Sequence, residues 1–193
     1  GVAPRVLAAV EVCLAAGATG ITVHPRADRR HITPQDVREI TRGLAGRRPA
    51  IEYNVEGDPR PELLSLVHEV SPDQCTLVPV TPGEITSHAG WRQETGTDRL
   101  ADVIADLKRR AVRVSIFVDP LPASVDFAAS LGADRVELYT EPFARAFTRS
   151  KEDATRSFAI YADVAKRAHG CGLGVNAGHD LDVDNLRLFR ELP

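Results

Sequence analysis

Along this chain, short apolar runs alternate with longer amphipathic stretches at intervals of roughly thirty residues, the length of a strand–helix crossover unit. Three of the helical stretches close on the same device, a glycine leading into the next apolar run: Ala16-Gly17, Leu131-Gly132 and His169-Gly170. A strand, helix, strand alternation of this kind fits only a parallel sheet covered by helices. The spacing predicts strands over Gly20–Val23, Ala50–Val55, Gln74–Pro79, Arg113–Asp119, Arg135–Thr140 and Gly172–Ala177. It predicts helices over Pro4–Ala16, Pro34–Leu44, Arg60–Val70, Thr97–Arg110, Pro122–Leu131, Lys151–Gly170 and Asp182–Arg190. Thr33-Pro34, Asp58-Pro59 and Asp182 supply helix starts. No linker or low-complexity tract divides the 193 residues, so residues 1–193 read as one α/β domain.

Two parallel architectures compete, an open doubly wound sheet and a closed (β/α)8 barrel. No GxGxxG follows a strand, which weakens the dinucleotide-binding option. The placement of polar residues favours the TIM barrel. Glu52, Asn54 and Glu56 alternate along one strand and share a face, as do Ser115, Phe117 and Asp119, and Arg135, Glu137 and Tyr139. A strand covered by helices outside presents such groups only to a barrel interior. His24, Glu52, Glu137, Asn176 and His179 are all read as lying toward the C-terminal ends of strands, the active-site face of that fold. Only six strands are found and the chain opens on a helix, so the barrel is expected to lack its first and last strands. The six are expected to form an open arc with unpaired edges at Gly20–Val23 and Gly172–Ala177. The absence of methionine implies that the chain does not begin at its own initiator.

The stretch from His24 to His31 places two histidines and three arginines directly after a buried strand. It reads either as a solvated loop with paired arginines or as an anion site, since Arg gives bidentate hydrogen bonds to phosphate or carboxylate. Nucleic acid is disfavoured as a partner: the net charge is -3 and no aromatics interleave with the cations. No apolar run reaches membrane-spanning length. The three widely spaced cysteines, Cys13, Cys75 and Cys171, read as reduced thiols of a cytoplasmic protein.

Glu52 reads as a general base raised by partial burial, or as the structural partner of an inward Arg such as Arg135. Glu137 follows the same logic. His179, after Val175-Asn176-Ala177-Gly178, reads as a proton donor or as a cap on the following loop. His68 and His169 fall on helices and read as surface groups, and His88 has no role. Lys108, Lys151 and Lys166 all lie on helices, which argues against a Schiff-base aldolase. A metal held by His24, Glu52 and His179 is the rival reading, opposed by the arginines beside His24.

The motifs "GITVHPRADRRHI", "IEYNVEG", "QCTLVPV" with "EITSHAGW", "RVSIFVDP", "RVELYTEP" and "GLGVNAGHDL" occur in order on the expected strands. By these motifs the chain resembles the pyridoxine 5′-phosphate synthase (PdxJ) family over nearly its whole length. The resemblance implies a TIM barrel that condenses 1-deoxy-D-xylulose 5-phosphate with 3-amino-2-oxopropyl phosphate. Pyridoxine 5′-phosphate, phosphate and water are the products, no metal or organic cofactor is used, and the assembly is an octamer. It also implies roles: His24 and Glu52 as proton acceptors, His179 as proton donor, and Glu137 as transition-state stabiliser. Arg26, His31 and Thr86 match positions that bind the deoxyxylulose phosphate. Asp180 stands where many members have a glycine touching the amino-ketone phosphate, a contact that a backbone N–H can still make. The family's first strand (an Asn, an Asp-His pair and an Arg) and its last (a Gly-His) are not found, so the chain alone is expected not to make product. The remaining alternatives are a metal-dependent barrel epimerase or aldolase for a sugar phosphate, and a non-catalytic truncated relative.

Overall fold

A computed structural model describes residues 5–80, 89–92 and 97–193. Six parallel strands, β1 (Gly20–Val23), β2 (Glu52–Gly57), β3 (Gln74–Leu77), β4 (Arg113–Val118), β5 (Arg135–Tyr139) and β6 (Gly174–Gly178), pair in sequence order. The sheet curls into a partial barrel wrapped by helices. Among the described residues β1 pairs only with β2, and β6 only with β5, which gives the open arc expected.

Each strand divides its side chains between two environments. Outward-facing Val55, Cys75, Leu77, Val114, Ile116, Val136 and Leu138 are fully buried against the helices. Most inner positions are polar (Asn54, Glu56, Gln74, Thr76, Ser115, Glu137 and Asn176), with Phe117 and Tyr139 as aromatic exceptions higher up. Two aspartates fix the strands' lower ends. Asp73, just before β3, accepts the Tyr53 N–H at 2.7 Å, and Asp134, just before β5, accepts the Val114 N–H at 2.9 Å.

The helices follow local signals. Helix α1 spans Val6–Ala15. In α2 (Pro34–Leu44) the Thr33 hydroxyl accepts from the Asp36 N–H and the Asp36 carboxylate accepts from the Thr33 N–H, a capping box with Pro34 in the first turn. Helix α3 (Pro61–Val70) also begins on proline and ends on Ser71, whose φ of 46° is left-handed. Helices α4 (Thr97–Arg109) and α5 (Pro122–Ser130) follow β3 and β4.

Between β5 and β6 one helix is expected and two are found, α6 (Glu141–Arg149) and α7 (Lys151–Gly170). Ser150 separates them: its extended backbone breaks the run, and its hydroxyl caps the Asp153 N–H at 3.0 Å. Phe143 of α6 packs edge-on against Tyr161 of α7. The last helix is expected over Asp182–Arg190 but is only α8 (Leu186–Phe189). Its first turn is replaced by an Asx turn in which the Asp182 carboxylate accepts from the N–H groups of Asp184 and Asn185. Strand β6 starts two residues late because Gly172, with φ of 77°, is still closing α7.

Candidate active site

A cavity of about 720 Å³ fills the inside of the curled sheet, lined from Glu52 and Gln74 at the strands' starts to His24 and His179 at their C-terminal ends. His24 follows β1 directly, and its Nε2 is buried with no hydrogen-bond partner among the described residues. Burial first, and the Arg26 charge second, lower its pKa to about 4. The ring is therefore neutral near pH 7, a state able to accept a proton.

That pKa has a measurable consequence. An unfolded histidine titrates near 6.5, so between there and about 4 the unfolded chain binds a proton that the folded chain refuses. The His24 contribution to stability is lost as pH falls through this window, by on the order of 2–3 kcal/mol. Glu56 and Glu137, raised by burial, act in the opposite direction, so the difference between parent and variant isolates His24. Urea denaturation at pH 7 and pH 4 should show His24→Gln losing less stability than the parent. Equal losses would place His24 in contact with water.

Arg26 lines the cavity with its side chain only 12% exposed. Asp28 lies 3.9 Å from the Arg26 Nε but is gripped at 2.6 Å by the Arg30 Nε. The loop then takes left-handed backbone at Arg29 and again at His31, whose φ is 85°. Such backbone is uncommon for residues other than glycine and turns the His31 ring back to the cavity that Arg26 lines.

Two carboxyls, Glu137 buried and Glu56 half-buried, meet on the inner face. Glu56, next to last on β2, and Glu137, in the middle of β5, are hydrogen-bonded to each other. Burial raises both above the usual carboxylate range, and proximity raises Glu56 further. Two carboxylates in contact away from water cannot both ionise cheaply, so the pair shares a proton and titrates as a unit.

Glu52 is placed differently from the expectation. It is the first residue of β2, level with Gly20 at the start of β1, and so lies at the lower, N-terminal end of the cavity. Its carboxylate accepts from the Arg113 guanidinium, which also starts a strand. The expected partner, Arg135, instead donates to the Asn176 Oδ1 and the Val175 carbonyl, both at 2.8 Å, and lies across Gly174, where a side chain would collide with it. The carboxylate near the mouth is Glu56. Alternation put it on the same face as Glu52, and its place four residues further along the strand was the signal available.

His179 follows β6 and lines the same cavity. Its Nδ1 lies 2.5 Å from the Asp180 Oδ2, its ring meets Tyr139 edge-on at 5.2 Å, and its carbonyl accepts from the Thr140 hydroxyl. With Nδ1 engaged, Nε2 is the nitrogen left for other chemistry. His179 and Asp180 both have left-handed backbone, with φ of 74° and 57°. Asp180 is in the conformation that glycine adopts most readily, and aspartate tolerates it better than most residues. The structure thus brings His24, Arg26, His31, Glu137 and His179 to one cavity and leaves Glu52 at its floor. Thr86 lies outside the described residues. Among the described residues no group of three or more His, Cys, Asp or Glu side chains is arranged to hold a metal ion, and no helix is long and apolar enough to cross a membrane.

Solved structures of low sequence identity share the fold. A phosphodiesterase in complex with c-di-GMP matches at a TM-score of 0.53 and 15% identity, over 82% of this chain and 63% of that one. The native KDPGal structure matches at 0.52 and 10%, over 100% and 87%. Curated relatives are far more similar. Pyridoxine 5′-phosphate synthase of Cytophaga hutchinsonii is 45% identical over 188 residues, covering 97% of this chain and 76% of the relative. The proteins of the same name from Leptospira biflexa and Bacteroides thetaiotaomicron are 45% and 44% identical, covering 100% and 98% of this chain and 78% and 76% of theirs. The family described as "Pyridoxal phosphate biosynthesis protein PdxJ" matches residues 1–193, the whole of the sequence. With a partial barrel of the expected kind and relatives this similar, the chain belongs to the PdxJ family.

Proposed function

We propose that this chain forms the catalytic part of a pyridoxine 5′-phosphate synthase that joins 1-deoxy-D-xylulose 5-phosphate to 3-amino-2-oxopropyl phosphate. The product is pyridoxine 5′-phosphate, with phosphate and water released. The observation that carries the reading is the Glu56–Glu137 pair, flanked by His24 and His179 on the wall of one cavity.

The substrates supply an amine and a ketone that condense with each other, so no enzyme lysine is required. What remains is the movement of protons: removal from carbon, protonation of departing hydroxyls, and loss of phosphate before ring closure. Such a sequence needs groups that hold and lack protons at the same pH. Neutral His24 is suited to accept. The carboxyl pair, sharing one proton and carrying one negative charge, is suited both to accept and to return a proton. We assign the acceptor role expected of Glu52 to Glu56, because burial raises its basicity and Glu52 is neutralised by Arg113. His179, with Asp180 holding Nδ1, is suited to donate from Nε2. Arg26 and His31 are suited to hold the phosphate of the deoxyxylulose substrate, and Thr86 and the Asp180 backbone N–H to contact substrate phosphates. No metal or organic cofactor takes part in this scheme. We further propose a cytoplasmic homo-oligomer, an octamer by family resemblance, with neither nucleic acid nor membrane as partner.

The test is direct. The protein containing this chain, given both substrates, should release phosphate and pyridoxine 5′-phosphate in equal amounts, followed by chromatography and absorbance. Phosphate release with no pyridine product, or activity only on a single sugar phosphate with added metal, would remove the reading.

A further inference from the structure

Between the floor of the cavity and the carboxyl pair lies a row of polar side chains to which none of these roles applies. Gln74, Thr76 and Asn54 are 1%, 0% and 4% exposed. Buried polar groups are costly unless hydrogen-bonded, and the way these are bonded has a direction. The Arg113 guanidinium can only donate. It donates to the Glu52 carboxylate and, from Nε, to the Gln74 Oε1 at 2.9 Å. This fixes the Gln74 amide, whose Nε2 then donates to the Thr76 hydroxyl at 3.4 Å. Having accepted, that hydroxyl has one proton to give. The Asn54 Oδ1 lies 3.2 Å away, and the Glu137 carboxylate is a second acceptor within reach. With its Oδ1 facing Thr76, Asn54 directs Nδ2 to the Glu56 Oε1 and the Thr22 hydroxyl, both at 3.4 Å.

We infer that Gln74 and Thr76 are positioning residues for the reaction: with Asn54 they form a one-way hydrogen-bond relay that starts at the Glu52–Arg113 ion pair and aims the Glu56 and Glu137 carboxyls into the cavity. The inference rests on the proposed role of that carboxyl pair. Thr76 is the junction, since its one hydroxyl proton goes either to Glu137 directly or to Asn54, whose Nδ2 donates to Glu56. It is fully buried, so it acts on substrate only through its neighbours. A small loss of aim in a general acid–base group is expensive, because proton transfer needs near-ideal geometry.

Steady-state kinetics on the full-length enzyme tests this. Thr76→Val, which keeps shape and removes the hydroxyl, should lower kcat by about tenfold or more while both KM values stay within about twofold. Thr76→Ser, which keeps the hydroxyl, should return kcat to within about threefold of the parent. Gln74→Met should lower kcat as well, and combined with Thr76→Val should cost no more than Thr76→Val alone, as for residues in one network. Unchanged kcat in Thr76→Val, a loss confined to KM, failure of Thr76→Ser to recover, or additive losses would each overturn the relay. If Thr76→Val gives no cooperative melt, Gln74→Met decides: parental kcat there overturns the relay. Glu56→Gln separates the two levels. Full turnover in Glu56→Gln removes the carboxyl pair from the mechanism and the relay's purpose with it. An inactive Glu56→Gln beside a fully active Thr76→Val removes the relay alone.

Discussion

Glu56→Gln should lower turnover by about a hundredfold or more, with KM for both substrates within about threefold of the parent, the usual scale for loss of an acid–base group. The substitution is nearly isosteric. The amide can still donate to the Glu137 carboxylate, so packing and the pair's hydrogen bond survive. What disappears is a proton site whose affinity is raised by burial and by the second carboxyl. Glu52→Gln is the matched control. Glu52 is partly exposed and paired with Arg113 at the floor, where solvent weakens the ion pair, so turnover should stay within about fivefold. Rates from saturating assays of both variants check the pair of expectations together. A hundredfold loss in Glu52→Gln with normal turnover in Glu56→Gln would reverse the assignment.

Arg26→Ala should raise KM for 1-deoxy-D-xylulose 5-phosphate by between about tenfold and a hundredfold, the range for removing charge-assisted hydrogen bonds from a phosphate. KM for the amino-ketone should change much less, and Arg26→Lys should recover only part of the loss, because an ammonium cannot give the bidentate grip. The Arg26 side chain is 12% exposed, so its contacts with a bound anion are less diluted by water than those of a surface arginine. Varying each substrate at saturation of the other reads the two constants separately. Equal changes in both would make Arg26 a general electrostatic contributor and not the seat of one phosphate.

The strands were legible because each is a compact apolar or β-branched run between helix signals, such as Gly20–Val23, which is reproduced to the residue. Helix α2 was legible for a local reason: Thr33, Pro34 and Asp36 carry their own start signal. The face of each strand was legible too, since side chains alternate whatever the tertiary context. Height along the barrel was legible only in part. Glu52 and Glu56 are equivalent to a period of two, and their order puts Glu56 higher, but where the strand begins is set by the pairing of Glu52 with Gly20 and of Glu56 with Thr76. Those pairings join segments distant in sequence. Helix α6 was missed although Pro142 stands in its first turn, because what holds so short a helix is the contact of Phe143 with Tyr161 and Phe189, which sequence does not show. The left-handed backbone at His31, His179 and Asp180 was equally invisible, as none is glycine.

The division of each strand between an apolar outer face and a polar inner face bears on how such a chain can evolve. Val55, Cys75, Ile116 and Leu138 hold the helices, whereas Asn54, Thr76, Ser115 and Asn176 face the cavity side. A mutational walk along the inner positions samples new chemistry while the helix contacts that keep the sheet folded remain intact. Adjacent residues in one strand therefore answer to different selective pressures, the outer ones to packing against the helices and the inner ones to the hydrogen bonds that border the cavity.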